Sequence, residues 1–200
     1  MKNELSKAER TRQFIIETTA GIFNTKGYAG TSLSDLTEAT GLTKGSIYGN
    51  FGSKEDVALA CFDYNLSKIN QVIQQRLAQE TTFYQKLLVY AQIYHKYSGM
   101  PFPEGGCPIL NTAIDADDTN NLLKDKAAKA IEAWKKRLVD LIRGGIDAGE
   151  FKPDIATEQT ALSMIALIEG GIMIAKATNN PSSLAKVLKT VELLVDQLKS

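Results

Sequence analysis

The chain has 200 residues with 44% hydrophobic content, enough to bury a core in one or two domains, and its 23 Lys and Arg balance 23 Asp and Glu, which excludes a surface coated in positive charge. No uninterrupted run of about eighteen apolar residues stands out and the N-terminus MKNELSKAERTR lacks an apolar signal segment, so a soluble, cytoplasmic protein with no membrane partner is expected. Cys61 and Cys107 lie far apart and His95 is the single histidine, which argues against a structural disulfide, a zinc site or any other metal or cofactor.

Helical apolar spacing runs through nearly the whole chain without convincing strand alternation, which predicts an all-α fold of about nine helices. The first helix is expected from about Ser6 to Lys26. Ser6 can cap its start with Glu9 three residues on, Phe14, Ile15, Thr18 and Ile22 mark an inner face, and Gly27 offers a left-handed stop. Two short helical patterns follow, Leu33 to Thr40 and Thr43 to about Tyr48, on either side of Gly41, which can take the positive φ a sharp helix-to-helix turn needs. Leu36, Leu42 and Ile47 can pack this pair together while Lys44, Ser46 and Tyr48 stay outward with donors. Thr31 to Asp56 therefore reads as a helix-turn-helix whose second helix is built to meet DNA.

The segment LTKGSIYGNFGSKEDV resembles the recognition-helix signature of TetR-family transcriptional regulators, and a long helix with an aromatic-glycine pair precedes it as in that family. The resemblance is most specific over the first quarter of the chain; the remaining helical pattern is compatible with the family's variable ligand-binding domain. It implies a three-helix DNA-binding domain over residues 1–52 and a helical ligand-binding and dimerisation domain over 53–200. Carried over position by position, it implies DNA contacts at Thr43, Lys44, Gly45, Ser46 and Tyr48, with Tyr48 and Lys54 gripping phosphate and Thr31 and Ser32 adding contacts at the preceding helix start. Two departures stand out. Thr37 occupies a position where such units usually hold alanine, and Gly49-Asn50 replaces the aromatic or histidine of many relatives, whose contacts do not transfer. Residues 1–54 hold seven Lys or Arg against five Asp or Glu, a weak excess with the sign that DNA requires.

Ser53 with Asp56 forms a capping-box-like start for a long helix through VALACFDYNLSKINQVIQQRLA, shared between the domains and stiff enough to turn a shift in the C-terminal body into a swing of the recognition helix. A helix expected from Thr82 breaks at GMPFPEGGCP, and another restarts at about Pro108. After a polar break at Asp117 to Asn121, a long helix runs from about Leu122 to Ala148, stopped by Gly149 and Pro153. Thr157 to Thr178 and Ser182 to Lys199 form a helical hairpin around NNPSS. In the resembling family the last two helices build a homodimer, and Gly170-Gly171 would admit a close helix; the interface is expected at Ile168, Gly170, Gly171, Ile172, Val191, Leu194 and Val195.

Tyr90, Tyr94, His95, Tyr97, Phe102, Cys107, Trp134 and Met164 can line an apolar pocket, with Glu169 or Asp115 as a carboxylate handle, although aromatic and Met stripes at helical spacing also simply pack helices. The candidate effector set is Tyr94, His95, Phe102, Cys107, Trp134, Met164 and Glu169. Cys107, between Gly106 and Pro108, reads better as a small buried hydrophobe than as a sensing thiol. Catalysis is not expected, because Cys107 and His95 lack a third orienting group. The expected function is sequence-specific regulation of transcription by a homodimer, most simply a repressor released from a palindromic double-stranded operator by a small apolar effector. A helical protein-interaction or ligand-sequestering module without specific DNA binding is the alternative.

Overall fold

The computed structural model describes residues 6–95 and 103–200, and among these the chain forms nine α-helices. They are α1 (Lys7–Gly30), α2 (Leu33–Thr40), α3 (Lys44–Asn50), α4 (Lys54–Leu77), α5 (Phe83–Tyr94), α6 (Pro108–Ala116), α7 (Asn121–Asp147), α8 (Thr157–Ala177) and α9 (Pro181–Asp196). No strand occurs among the described residues; Phe151 and Lys199 make one isolated antiparallel bridge. Tyr97 and Phe102 lie outside the described residues.

The caps explain the boundaries. Ser6 Oγ accepts the N–H of Glu9 while Glu9 Oε2 accepts that of Ser6, and the same reciprocal pair closes α2 through Ser32 and Asp35 and α5 through Thr82 and Gln85. Ser53 Oγ accepts the N–H of Asp56 at the head of α4. Gly41 ends α2 in the left-handed conformation at φ 67°, where a side chain would be strained. Gly27 behaves differently from a terminal stop: at φ 73° and ψ 174° it breaks the helical path inside α1, which resumes to Gly30.

The chain divides into two compact units, Met1–Ile69 with Pro103–Ala128, and Asn70–Phe102 with Lys129–Ser200. The sequence boundary at Gly52 falls inside the first unit, which also takes most of α4, all of α6 and the start of α7. Ile15, Leu36, Ile47, Val57 and Cys61 are fully buried in this unit and hold α1 to α4 around one core. The Asn24 amide donates to the carbonyls of Glu104 and Gly106, and the Asn111 amide donates to those of Asn24 and Gly105, so side chains satisfy the backbone of the turn entering α6.

In the second unit α8 and α9 pack as an antiparallel hairpin with α5 against α9. Met164, Ile168 and Ile172 of α8 and Leu188, Val191 and Val195 of α9 are fully buried. By length and composition α8 could cross a membrane, against the expectation that no such run exists, with mean hydropathy 1.5 over its most apolar stretch. Its inward side belongs to the core of the second unit. The Glu150 carboxylate accepts the N–H groups of Phe83 and Tyr84, completing the start of α5.

Candidate nucleic-acid interface

Helix α3 is KGSIYGN, and its single fully buried side chain, Ile47, anchors it in the core of the first unit. Thr43 caps it, its hydroxyl accepting the N–H of Ser46 at 3.2 Å. Lys44, Gly45 and Gly49 are exposed and Ser46 and Tyr48 half-buried, so none of these residues of the helix is buried in the unit. The Lys44 ammonium lies 5.9 Å from the centre of the Tyr48 ring. A Cβ added at Gly49 would meet nothing within 4 Å, and at Gly45 only its own neighbour Thr43, which leaves the backbone open to a close partner. α3 has no acidic side chain, so no fixed negative charge on this helix opposes a phosphate backbone.

Supports the sequence did not reveal hold this helix. The Arg12 guanidinium donates to the Asn50 carbonyl at 2.7 Å and lies over the Phe51 ring at 3.9 Å, tying α1 to the end of α3. At the head of α2, Lys26 bonds Asp35 at 2.5 Å and Ser32 donates to the same carboxylate. These bonds, Lys26 first and then Ser32, hold the Asp35 carboxyl well below the ordinary carboxylate range. Thr37 fits, its hydroxyl turned to the Ser34 carbonyl at 3.0 Å.

Two residues of the expected contact set are committed elsewhere. Thr31 is 1% exposed, with its hydroxyl donating to the Gly27 carbonyl, so its side chain is withdrawn from any DNA surface. The Lys54 ammonium donates to the carbonyls of Tyr28 and Thr31, each at 2.8 Å, instead of standing free in solvent. Ser32 remains exposed as the α2 cap. Burial, helped by the Glu55 carboxylate, pushes the Tyr28 phenol up. The Gly27-Tyr28 pair inside a helical run was the one sequence signal of this arrangement.

The expected effector residues do not form a single group. Cys107 is buried at the head of α6 in the first unit, whereas Tyr94, His95, Trp134, Met164 and Glu169 belong to the second. Tyr94 and His95 line a cleft of about 140 Å³ with Ala175, Lys176, Pro181, Leu184 and Ala185. Trp134 stacks on both Tyr90 and Tyr94, with ring centres 6.4 and 6.2 Å apart. His95 Nε2 lies 3.2 Å from Glu192 Oε1, Met164 is fully buried and Glu169 is half-buried. Asp115, the other carboxylate handle considered, accepts the Tyr28 N–H in the first unit. Burial pushes the Cys61 thiol up to about 12, and Cys107 is 1% exposed, so neither meets the accessibility a sensing thiol needs.

The expected dimer contacts are also redistributed. Ile168, Gly171, Ile172, Val191 and Val195 are buried inside the α8–α9 packing of one chain, where a Cβ on Gly171 would come within 3.0 Å of Leu184 and 3.2 Å of Val187. Five of the seven residues expected at the interface therefore face the inside of the hairpin. Gly170 and Leu194 keep partial exposure, and the large apolar side chains that project are Leu162, Met173, Ile174 and Leu193.

An all-α chain with a capped helix-turn-helix and an acid-free recognition helix defines a DNA-binding protein of the helix-turn-helix class. Residues 84–191 match the family model "Tetracyclin repressor-like, C-terminal domain" and residues 15–61 match "Bacterial regulatory proteins, tetR family". A TetR-family transcriptional regulator from Cytophaga hutchinsonii is 53% identical with TM-score 0.95, covering 98% of both chains, and one from Chloroflexus aurantiacus is 35% identical with TM-score 0.92 over the same shares. The HTH-type transcriptional repressor DhaR of Mycobacterium sp. (strain GP1) is 26% identical over 90% of this chain and 89% of its own length. The chain belongs to the TetR family of transcriptional regulators.

Proposed function

We propose that the protein is a dimeric, ligand-responsive repressor whose two α3 helices read a palindromic operator and leave it when a small, largely apolar effector binds the second unit. The carrying observation is α3 itself, with Lys44, Ser46 and Tyr48 outward, Gly45 and Gly49 open and no acidic side chain along it. Repression agrees with the DhaR relative, an HTH-type transcriptional repressor. Dimerisation is supported by the apolar projections Leu162, Met173, Ile174 and Leu193 on α8 and α9. A cytoplasmic location and the absence of catalysis follow from this role.

For the effector, Tyr94 and His95 offer one wall of the 140 Å³ cleft, and Tyr94 connects it to Trp134. Tyr90 Oη and Trp134 Nε1 are buried without a hydrogen-bond partner among the described residues, and an unmet buried donor costs about 1–3 kcal/mol. Neither residue lines the cleft, so a ligand carrying acceptor atoms on a flat apolar frame recovers that cost only by reaching past Tyr94. Binding one conformer better by about 1–3 kcal/mol changes operator affinity from several-fold to over a hundredfold.

Selection of bound sequences from a random duplex pool, followed by titration of the winner at two salt concentrations, tests this reading. An enriched palindrome with salt-dependent binding supports it. No enrichment, with or without cell extract as an effector source, overturns it in favour of a protein-interaction or ligand-sequestering module.

A further inference from the structure

Lys54 and Asp115 both bond the backbone of Tyr28, one at its carbonyl and the other at its N–H. Tyr28 donates its N–H to Asp115 Oδ2 at 2.6 Å, while its carbonyl accepts from the Lys54 ammonium at 2.8 Å. Lys54 also takes the Thr31 carbonyl at 2.8 Å and lies 4.2 Å from the centre of the Tyr28 ring. A primary ammonium has three donors, and two are spent on the backbone just before α2. Gly27 makes the approach of α6 feasible: at φ 73° it holds a conformation side chains rarely adopt, and an added Cβ would overlap the Asp115 carboxylate. The helix-turn-helix lies between the two points that Lys54 joins, Tyr28–Thr31 before α2 and the head of α4 after α3.

We propose that Lys54 acts on DNA recognition as a positioning residue, closing the helix-turn-helix onto Tyr28 and Thr31 instead of gripping phosphate, and that Asp115 shares this role from α6 without touching DNA. The clamp fixes the α1–α2 and α3–α4 junctions to each other, so it sets where α3 can stand when it enters the groove. Because Asp115 belongs to α6, a displacement of α6 loosens the backbone of Tyr28, the residue that Lys54 also holds. The proposal rests on the DNA-binding reading of α3.

A phosphate contact and a clamp leave different signatures. A lysine on phosphate contributes about 0.9 to the slope of log affinity against log salt, and its removal weakens operator and random duplex alike. Loss of a clamp lowers operator binding selectively and leaves the slope in place. The experiment compares wild type, Lys54→Met and Asp115→Leu on the selected operator and on a random duplex of equal length, at several salt concentrations. Helicity and oligomeric state are recorded for each variant.

Expected for both variants is an operator affinity lower by at least about tenfold, with the random-duplex affinity and the salt slope unchanged. Asp115→Leu keeps the approximate size of the side chain and removes the acceptor of the Tyr28 N–H, so it carries the test should Lys54→Met fail to fold. A salt slope reduced by about 0.9 in Lys54→Met, with both duplexes weakened equally, assigns Lys54 to phosphate and overturns the proposal. Unchanged operator affinity in Asp115→Leu overturns Asp115's part. Failure of the wild type to select any sequence would instead remove the DNA reading on which the clamp depends.

Discussion

At the residue scale, chemistry at the reading head separates contacts from supports. Lys44 is exposed, neighbours open backbone and makes no ion pair among the described residues, so its charge is available to a partner. Lys44→Ala should weaken operator binding by about 1–3 kcal/mol if the lysine reaches a base edge, with helicity and dimer intact, as read by mobility-shift titration. Asp35 has the opposite role. Lys26 and Ser32 stabilise its ionised form, so its folded pKa lies below the ordinary 3.8. A depressed pKa contributes stability that is complete above 3.8 and is lost as pH falls from there toward the folded value. Asp35→Asn should therefore unfold at a lower urea concentration than wild type at neutral pH, and the gap should narrow only in acid below that value. The motif made Lys44 legible, because a short capped helix with outward donors is a local pattern. It could not reveal that Thr31 and Lys54 turn inward, since that depends on Tyr28 and Gly27 folding back from a residue separation no helical period covers.

Among elements, boundaries followed from local chemistry and faces did not. The pairs Ser6–Glu9 and Thr82–Gln85 and the glycine stop at Gly41 all function as their sequence spacing implies, because a cap is satisfied within one turn. The α8–α9 hairpin was equally visible, but an apolar helix in a two-sided environment offers no polar stripe to mark which side meets its own chain. Gly170 and Gly171 show the consequence. Next to Gly171 are Leu184 and Val187 of the same chain, whereas a Cβ at Gly170 meets nothing within 4 Å. Gly171→Leu should overpack the hairpin and destabilise the protomer by about 1–3 kcal/mol in chemical denaturation. Gly170→Leu should leave the protomer as stable as before or firmer by about 0.5–1 kcal/mol, since it replaces glycine within a helix, and should instead weaken self-association. Equal effects of the two changes on protomer stability would contradict this division of the helix.

For the whole molecule, a palindromic operator requires two-fold symmetry, and the protomer leaves an apolar surface that a two-fold contact can use. Leu162 and Leu193 are about half exposed, Met173 somewhat more and Ile174 somewhat less, on the two helices whose opposite sides are fully committed to the protomer. Full burial of such a side chain contributes about 1.5–3 kcal/mol, and a two-fold contact buries each one twice. A carboxylate at such a contact would instead be desolvated without a partner. The double variant Met173→Glu, Leu193→Glu should thus shift the dimer to monomer in sedimentation at micromolar concentration, raising the dimer dissociation constant by at least about a hundredfold, which is under 3 kcal/mol. Its helicity should stay at the wild-type level, because neither residue belongs to the buried core. On DNA the same variant should bind a single half-site as wild type does while losing the added affinity of the full palindrome, because α3 and its supports lie in the other unit and are untouched. A variant that remains dimeric would move the symmetry axis away from this face, and a half-site affinity lost together with the dimer would mean that association is required to shape the reading head itself.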